Sequence, residues 1–482
     1  MSAAIPSEVA TASQPPRASG FDLLDRIPWA AILDFLMLAT TVAVADAGLA
    51  TEADGVIVAL VFALLRPRLM PYLLLVIAGF QDAKGLSGIF WYGGTLALGG
   101  MTLLSNGARL PQAMREGRRD FRDLAVIALL VIVYAITSSY VQRWFGIHEQ
   151  ATNREPIVIG LLEIAMLLIG VALWERLSAD PRAGSRIGMV LWLTLLNGLA
   201  VSIARMYLGT DQFVSAAGAE GMQEGGEQLF EDTPLGFPRL TGTYLTPIGF
   251  AMYIGYLLVL WQAVKREQRV RWTFVLLYIV IGVGMALASL SKDMAIFFVL
   301  TGLAFGSIRR SLVIPVLLVL VALAVAGLSV VGLDGISEAF RFETGTSEES
   351  YRAIAWLAIV QSFHWTDWVF GTGIAYWPVF LERTVGFSLS DPHTWVLSIP
   401  GTYGLLGLAF YALLGLFLLD AARQVTGYLR SVAICLGCMF FVVDASSIPY
   451  VIGNTPLTMM LWAALSALGV RGLGQTRSVG RR

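Results

Sequence analysis

Charged side chains are scarce in this sequence. Asp, Glu, Lys and Arg make up 14% of the chain, about half the share usual in soluble domains. Apolar residues make up 56%, and the mean hydropathy is +0.71. A water-soluble fold cannot hide that much apolar surface, because much of any folded surface faces solvent. A charge of one sign is also lacking. The net charge is −1, which removes the basic field expected of a nucleic-acid binder. Cysteine is nearly absent: Cys435 and Cys438 form a CxxC inside the apolar run Val432–Val443. Zinc would want more ligands nearby, and a redox pair would want water, so helix packing is the simpler reading. A cleavable signal peptide is not visible, and the first 20 residues read as a disordered cytoplasmic tail.

Long apolar runs are what the chain has instead. They fall at Ile27–Ala47, Gly55–Leu65, Leu69–Gly79, Ser87–Leu104, Leu124–Val141, Ile157–Leu177 and Ile187–Leu208. They continue at Tyr244–Val264, Trp272–Leu290, Met294–Phe305, Leu312–Leu333, Tyr403–Leu419, Val432–Val443 and Leu457–Val470. The runs are unbroken rather than alternating, so helices are expected rather than a barrel. The second and third runs are shorter than the roughly 20 residues of a full crossing. If they form a re-entrant hairpin, 12 crossings remain of 14. The expected fold is therefore all-α, a polytopic membrane protein with 12–14 transmembrane helices.

Lys and Arg set the expected orientation. One loop holds Arg109, Arg115, Arg118, Arg119 and Arg122, and another Arg176, Arg182 and Arg186. Lys265, Arg266, Arg269 and Arg271 follow, then Arg309 and Arg310, then Arg423 and Arg430, then Arg471, Arg477, Arg481 and Arg482. With alternating spans, all of them fall on one side, which is the cytoplasm. The expected organisation is a cytoplasmic tail 1–26, N-terminal transmembrane helices 27–208 and an acidic periplasmic loop 209–238. Central helices 239–333, a large periplasmic loop 334–401 carrying short helices, C-terminal helices 402–470 and a basic tail 471–482 complete it. The loop 209–238 holds Asp211, Glu220, Glu224, Glu227, Glu231 and Asp232 without Lys or Arg. Loops as long as 334–401 are usually functional.

Four segments carry candidate chemistry. In Phe237-Pro-Arg-Leu-Thr-Gly-Thr-Tyr244, Arg239 leads from the acidic loop into a span. A guanidinium there either binds phosphate oxygens through its fork of donors or snorkels to headgroups. In Ser289-Leu-Ser-Lys-Asp293, Lys292 lies between spans on the outer side, as a second cation or as the partner of Asp293. In Glu348-Glu-Ser-Tyr-Arg-Ala-Ile-Ala-Trp356, Tyr351 and Arg352 open an apolar helical stretch reaching about Phe363. There Arg352 either meets an anion or pairs with Glu348 or Glu349. The fourth comprises Phe370-Gly-Thr-Gly373, Asp391-Pro-His-Thr-Trp395 and Gly404-Leu-Leu-Gly407. His393 there can accept a proton near neutral pH, or serve structurally at a headgroup boundary. Trp365, Trp368, Trp377 and Trp395 crowd the same loop, as sugar-stacking platforms or interfacial anchors.

The order Arg-x-Thr-Gly-Thr, Ser-x-Ser-Lys, Tyr-Arg, Gly-Thr-Gly and His before a Gly-rich span resembles the O-antigen ligase and polysaccharide polymerase superfamily. The resemblance covers about residues 235–420; the first half is similar by hydropathy alone. It implies an inverting, metal-independent glycosyltransferase of the bacterial inner membrane, with both termini cytoplasmic and no cofactor. It implies a donor glycan on undecaprenyl pyrophosphate and a lipid-linked or lipid A core glycan acceptor. Arg239, Arg352 and His393 would then be catalytic, and Lys292, Tyr351 and Trp395 would bind substrate. Two positions depart from the family: Ser291-Lys292 stands where Ser-Arg is common, and His393-Thr394 where His-Asn is. These departures favour polymerase over ligase. The rival class is a transporter or a flippase of lipid-linked oligosaccharides, for which Glu163 is the best mid-span charge, with Asp34 and Asp444 less deep.

Overall fold

The computed structural model describes residues 29–47, 53–80, 88–105, 110–144, 155–208, 247–264, 356–373, 377–385, 395–424, 428–438 and 456–479. Among them there are helices and no strand. The first group is α1 (Ala30–Ala47), α2 (Ala53–Leu65), α3 (Met70–Ala78), α4 (Gly88–Leu104) and α5 (Gln112–Glu116). Next come α6 (Arg119–Trp144), α7 (Glu155–Ala179), α8 (Ala183–Leu208) and α9 (Pro247–Val264). Two short helices, α10 (Trp365–Phe370) and α11 (Trp377–Val385), precede the long α12 (Trp395–Gln424). Then follow α13 (Tyr428–Cys438) and α14 (Pro456–Val479). Prolines mark several starts. Pro71, Pro156, Pro247, Pro378 and Pro456 each occupy the first or second helical position, where the missing amide would be unpaired anyway.

Among the described residues, three helical segments are long and apolar enough to cross a membrane: Arg119–Tyr140, Pro156–Ala179 and Leu397–Arg423. At 1.5 Å per residue, α7 spans roughly 37 Å, against about 30 Å of hydrocarbon in a bilayer. Shorter apolar helices run over Ala30–Ala45, Asp54–Leu65, Pro67–Ala78, Gly93–Leu104, Met252–Val264 and Leu457–Gly469. The helix expected at Tyr403–Leu419 is longer than its apolar run on both sides. The spans expected at Trp272–Leu290, Met294–Phe305 and Leu312–Leu333 lie outside the described residues, as do the acidic loop and the basic tail beyond Val479. The second and third expected spans are α2 and α3, joined by a 3-10 turn at Pro67–Leu69. Every residue of α3 is buried. Its nine residues reach roughly 13 Å, too short for a crossing.

One large apolar core runs through the bundle and includes residues of α1 to α9, α12, α13 and α14. Close approach is set by small residues. A Cβ on Gly170 of α7 would lie 2.8 Å from Trp462 Cβ of α14, so the glycine lets two backbones meet. The outward faces are also apolar. Ile57, Val61 and Leu64 of α2, and Val126, Leu130 and Val133 of α6, recur at helical spacing and are exposed. Leu405, Leu413, Leu416 and Leu419 of α12 are exposed as well. A helix in water would present polar residues at such positions.

Polar contacts fix which helix ends lie together. Arg66 is bonded to Asp34; Arg186 bonds Asp34 at 2.8 Å and Asp180 at 2.7 Å. Tyr72 donates to Asp180 at 2.5 Å, with the Arg186 guanidinium 5.6 Å from its ring centroid. Among the described residues, these contacts set two acids, Asp34 and Asp180, against two arginines, Arg66 and Arg186. A buried charge left alone would cost several kcal/mol. Nearby, Arg118 bonds Asp420 at 2.5 Å, its amide donates to Gly469 O at 3.1 Å, and Ala113 N donates to Glu175 at 2.7 Å. The first end of α6, the last turns of α7 and α12 and the Gly469 level of α14 thus share one end of the bundle. This basic end holds Arg115, Arg118, Arg176 and Arg186, which the sequence assigns to one side, with Arg66 beside them; Arg143, next to last in α6, is at the other end. Glu155 of α7 and Trp395 of α12 begin at the opposite, aromatic end.

Candidate functional site

The aromatic end is built around a break in α12. Pro400, its sixth residue, has no amide to donate. Gly404 then adopts φ 61°, ψ −156° inside the helix, a conformation open only to glycine. The carbonyls beside this break are taken up by the loop after α10. The Thr372 amide donates to Gly401 O at 2.5 Å, and Gly373 N to Thr402 O at 3.1 Å. The Thr372 hydroxyl donates to the same Gly401 O at 2.8 Å. Gly371 and Gly373 have φ of 73° and 85°. A Cβ on Gly371 would lie 2.5 Å from Thr402 O, and one on Gly404 2.7 Å from Gly371 N. Two glycine motifs thirty residues apart are therefore one backbone clamp.

Helix α6 forms the wall beside the clamp. The Tyr134 hydroxyl donates to Phe370 O at 2.8 Å. A Cβ on Gly373 would lie 3.0 Å from Ser139 Cα. On the other side lies a small apolar core of Ile359, Phe363, Trp377, Phe380, Leu381 and Leu397, with Trp368 against it. It joins the helical stretch 356–362, α10, α11 and the start of α12. The sequence expectation of short helices in this segment holds for the described part, although the first stretch stops at residue 362, just before Phe363.

The tryptophans divide. Trp377 is buried, stacked on Phe380 at 5.7 Å and 12°, and covers Gly401. Trp368 meets Phe363 edge-on at 4.8 Å. Trp377 therefore has no free face for a sugar, while Trp368 is partly buried. Trp365 is 71% exposed and lies 6.5 Å from the exposed Phe370. It is the most exposed of the loop tryptophans with described side chains, followed by Trp356 at 37%.

Arg239, Lys292, Tyr351, Arg352 and His393 lie outside the described residues. Trp395 is the first residue of α12, described through its backbone. What the structure brings together is Phe370-Gly-Thr-Gly373 with Gly401–Gly404. Among the described residues no three His, Cys, Asp or Glu side chains form a metal-binding group.

Beneath the clamp lies Glu163, eight residues into α7 and 2% exposed. Neither carboxyl oxygen has a hydrogen-bond partner among the described residues. Tyr403, on the broken stretch of α12, is its electrostatic neighbour. Sequence alone singled out Glu163 as a mid-run charge, but not Tyr403 beside it. The Asp34–Arg66–Arg186–Asp180 network had only weak signals, an acid inside an apolar run and an arginine before a proline.

Compared with known proteins, the chain matches no family model and no curated relative.

Proposed function

We propose that this protein is a polytopic membrane glycosyltransferase that transfers or polymerises glycans carried on undecaprenyl pyrophosphate at the periplasmic face of the inner membrane. The carrying observation is the clamp between Gly371–Gly373 and Gly401–Gly404. It fixes the start of α12, and His393 precedes that helix by two residues. Exposed apolar stripes on α2, α6 and α12 support burial in lipid. The denser arginines at one end and the loop tryptophans Trp365, Trp368 and Trp377 at the other support cytoplasmic and periplasmic ends respectively.

In this reading the acceptor hydroxyl attacks the anomeric carbon opposite the pyrophosphate, inverting that centre. The new C–O bond forms as the bond to the leaving oxygen breaks, and its electron pair departs with the pyrophosphate. Arg239 and Arg352 neutralise that developing charge. His393 accepts the hydroxyl proton. Lys292, Tyr351 and Trp395 hold donor and acceptor. The polyprenyl chain stays in lipid, so the chemistry belongs at the bilayer boundary. The acceptor separates a polymerase (a lipid-linked repeat) from a ligase (lipid A core), and polymerase is favoured.

A second reading, a transporter or flippase, is favoured by one observation: Glu163 is buried without a partner among the described residues. The surface glycans of a deletion strain test these readings. Single repeats support the polymerase, and long chains left on the lipid carrier support the ligase. An unchanged chain-length profile with repeats trapped on the cytoplasmic leaflet supports the flippase.

A further inference from the structure

We propose that Glu163 is a proton-binding site: it rests as the neutral acid and exchanges its proton toward the aromatic end through the break in α12. This inference does not depend on the glycosyl-transfer reading. An ionised carboxylate in an apolar interior without a partner costs several kcal/mol, and such a group neutralises instead. Glu163 is 2% exposed, and neither of its oxygens has a hydrogen-bond partner among the described residues.

The surroundings offer no compensating cation among the described side chains. On its own helix, Glu175 and Arg176 lie 12 and 13 residues further on, roughly 18 Å along the axis. On α6, the level is marked by Gly160 of α7, which packs on Ile136 and Ile132. The charges Arg119, Asp120, Arg122 and Asp123 of that helix lie nine or more residues before Ile132, roughly 14 Å away. Arg143, its other charge, stands seven residues past Ile136 toward the aromatic end, roughly 10 Å along the axis, with its side chain outside the described ones. Helix α14 carries Arg471 and Arg477, past Gly469 at the basic end. Helix α4 has no Asp, Glu, Lys or Arg. Arg115 and Glu116 of α5, and Tyr72 of α3, also belong to the basic end. From α12 come Tyr403, the electrostatic neighbour of Glu163, and Tyr411, the neighbour of Tyr403. Both are neutral hydroxyl carriers able to donate and accept hydrogen bonds.

The route follows from the helix break. Glu163 lies roughly 12 Å below the first residue of α7, and Tyr403 about as far below Trp395. Gly404, next to Tyr403, interrupts the regular ladder of α12 at that depth. The Gly401 and Thr402 carbonyls at the break are already bonded to the Thr372 and Gly373 amides, so the hydroxyls of Tyr403 and Tyr411 are the groups that relay the proton. The exchange is balanced: one proton binds the carboxylate, and the same proton leaves it.

Infrared spectroscopy of the purified protein in lipid, as wild type minus Glu163→Gln, tests this. The expected difference spectrum holds the carbonyl stretch of a protonated carboxylic acid at neutral pH, and that band shifts downward on transfer to D2O. If Glu163→Gln does not fold, Glu163→Asp serves, with the band displaced rather than lost. Carboxylate bands in place of the acid band overturn the proposal, since Glu163 is then ionised and paired. An acid band that stays unshifted after prolonged D2O exposure overturns it too, because the proton is then locked in.

Discussion

The Thr372 amide and hydroxyl both donate to the carbonyl of Gly401, at 2.5 and 2.8 Å, across 29 residues of chain. One carbonyl thus anchors the loop after α10 to the break in α12. Gly404→Ala places a side chain at φ 61° and a Cβ 2.7 Å from Gly371 N. Such strain costs about 1–3 kcal/mol. Thr372→Val keeps the amide bond, loses the hydroxyl and should cost about 0.5–1.5 kcal/mol. Thermal melts in detergent should rank Gly404→Ala below Thr372→Val, with both below wild type. Equal melting of all three would mean that the clamp does not stabilise the fold.

The ion network at the basic end should be intolerant of single losses. Arg186→Ala leaves Asp34 and Asp180 short of a buried partner, at about 3–5 kcal/mol. Removing acid and base together, as Asp34→Leu with Arg66→Met, should cost less than the sum of the single changes. A double-mutant cycle on folded yield and melting temperature measures the coupling. Strict additivity would show that the charges act independently.

Topology is open to labelling in a cysteine-free background. Arg119, with an exposed side chain, reports the basic end, and Ala217 reports the acidic loop. Impermeant maleimide added from the periplasm should modify a cysteine at 217 and spare one at 119. The opposite pattern would place the glycine clamp in the cytoplasm and end the proposal of periplasmic chemistry.

Arg239 and Arg352 should converge on one pyrophosphate, although 113 residues separate them in sequence. Arg→Lys at either keeps the charge and loses the bidentate fork. A lost hydrogen bond to charge, about 1.5–3 kcal/mol, corresponds to roughly tenfold or more in transfer rate. Single-turnover transfer with saturating acceptor gives the rates. Unchanged rates for both lysine variants would remove the arginines from the site.

His393→Ala should accumulate normally and still bind donor, while transfer slows by about 10²–10⁴-fold, the usual cost of losing a general base. His364→Ala is the control. His364 sits at the start of α10, where its amide bonds Asp367 at 2.9 Å. Its variant should transfer at near the wild-type rate. Full turnover by His393→Ala would leave His393 a structural role at the bilayer boundary.

Composition and run length were enough to fix an all-helical chain for the described residues, because a 56% apolar sequence with 14% charge has few ways to satisfy its backbone. The position of helices such as α6, α7 and α8 followed from apolar runs. Periodicity could not show which helix ends meet. That was decided by Arg186 reaching Asp34 and by Arg118 reaching Asp420, contacts between residues far apart in sequence. Gly371, Gly373 and Gly404 stood in motifs visible as sequence, but Gly401 did not, and nothing local showed the pairing. Their union depends on a positive φ at Gly404 and on carbonyls exposed by a helix break, and neither has a local signature beyond glycine itself. Glu163 was legible as a misplaced charge; its lack of a partner among the described residues was not. Burial and pairing are properties of what packs around a side chain, and only the tertiary fold assembles those neighbours.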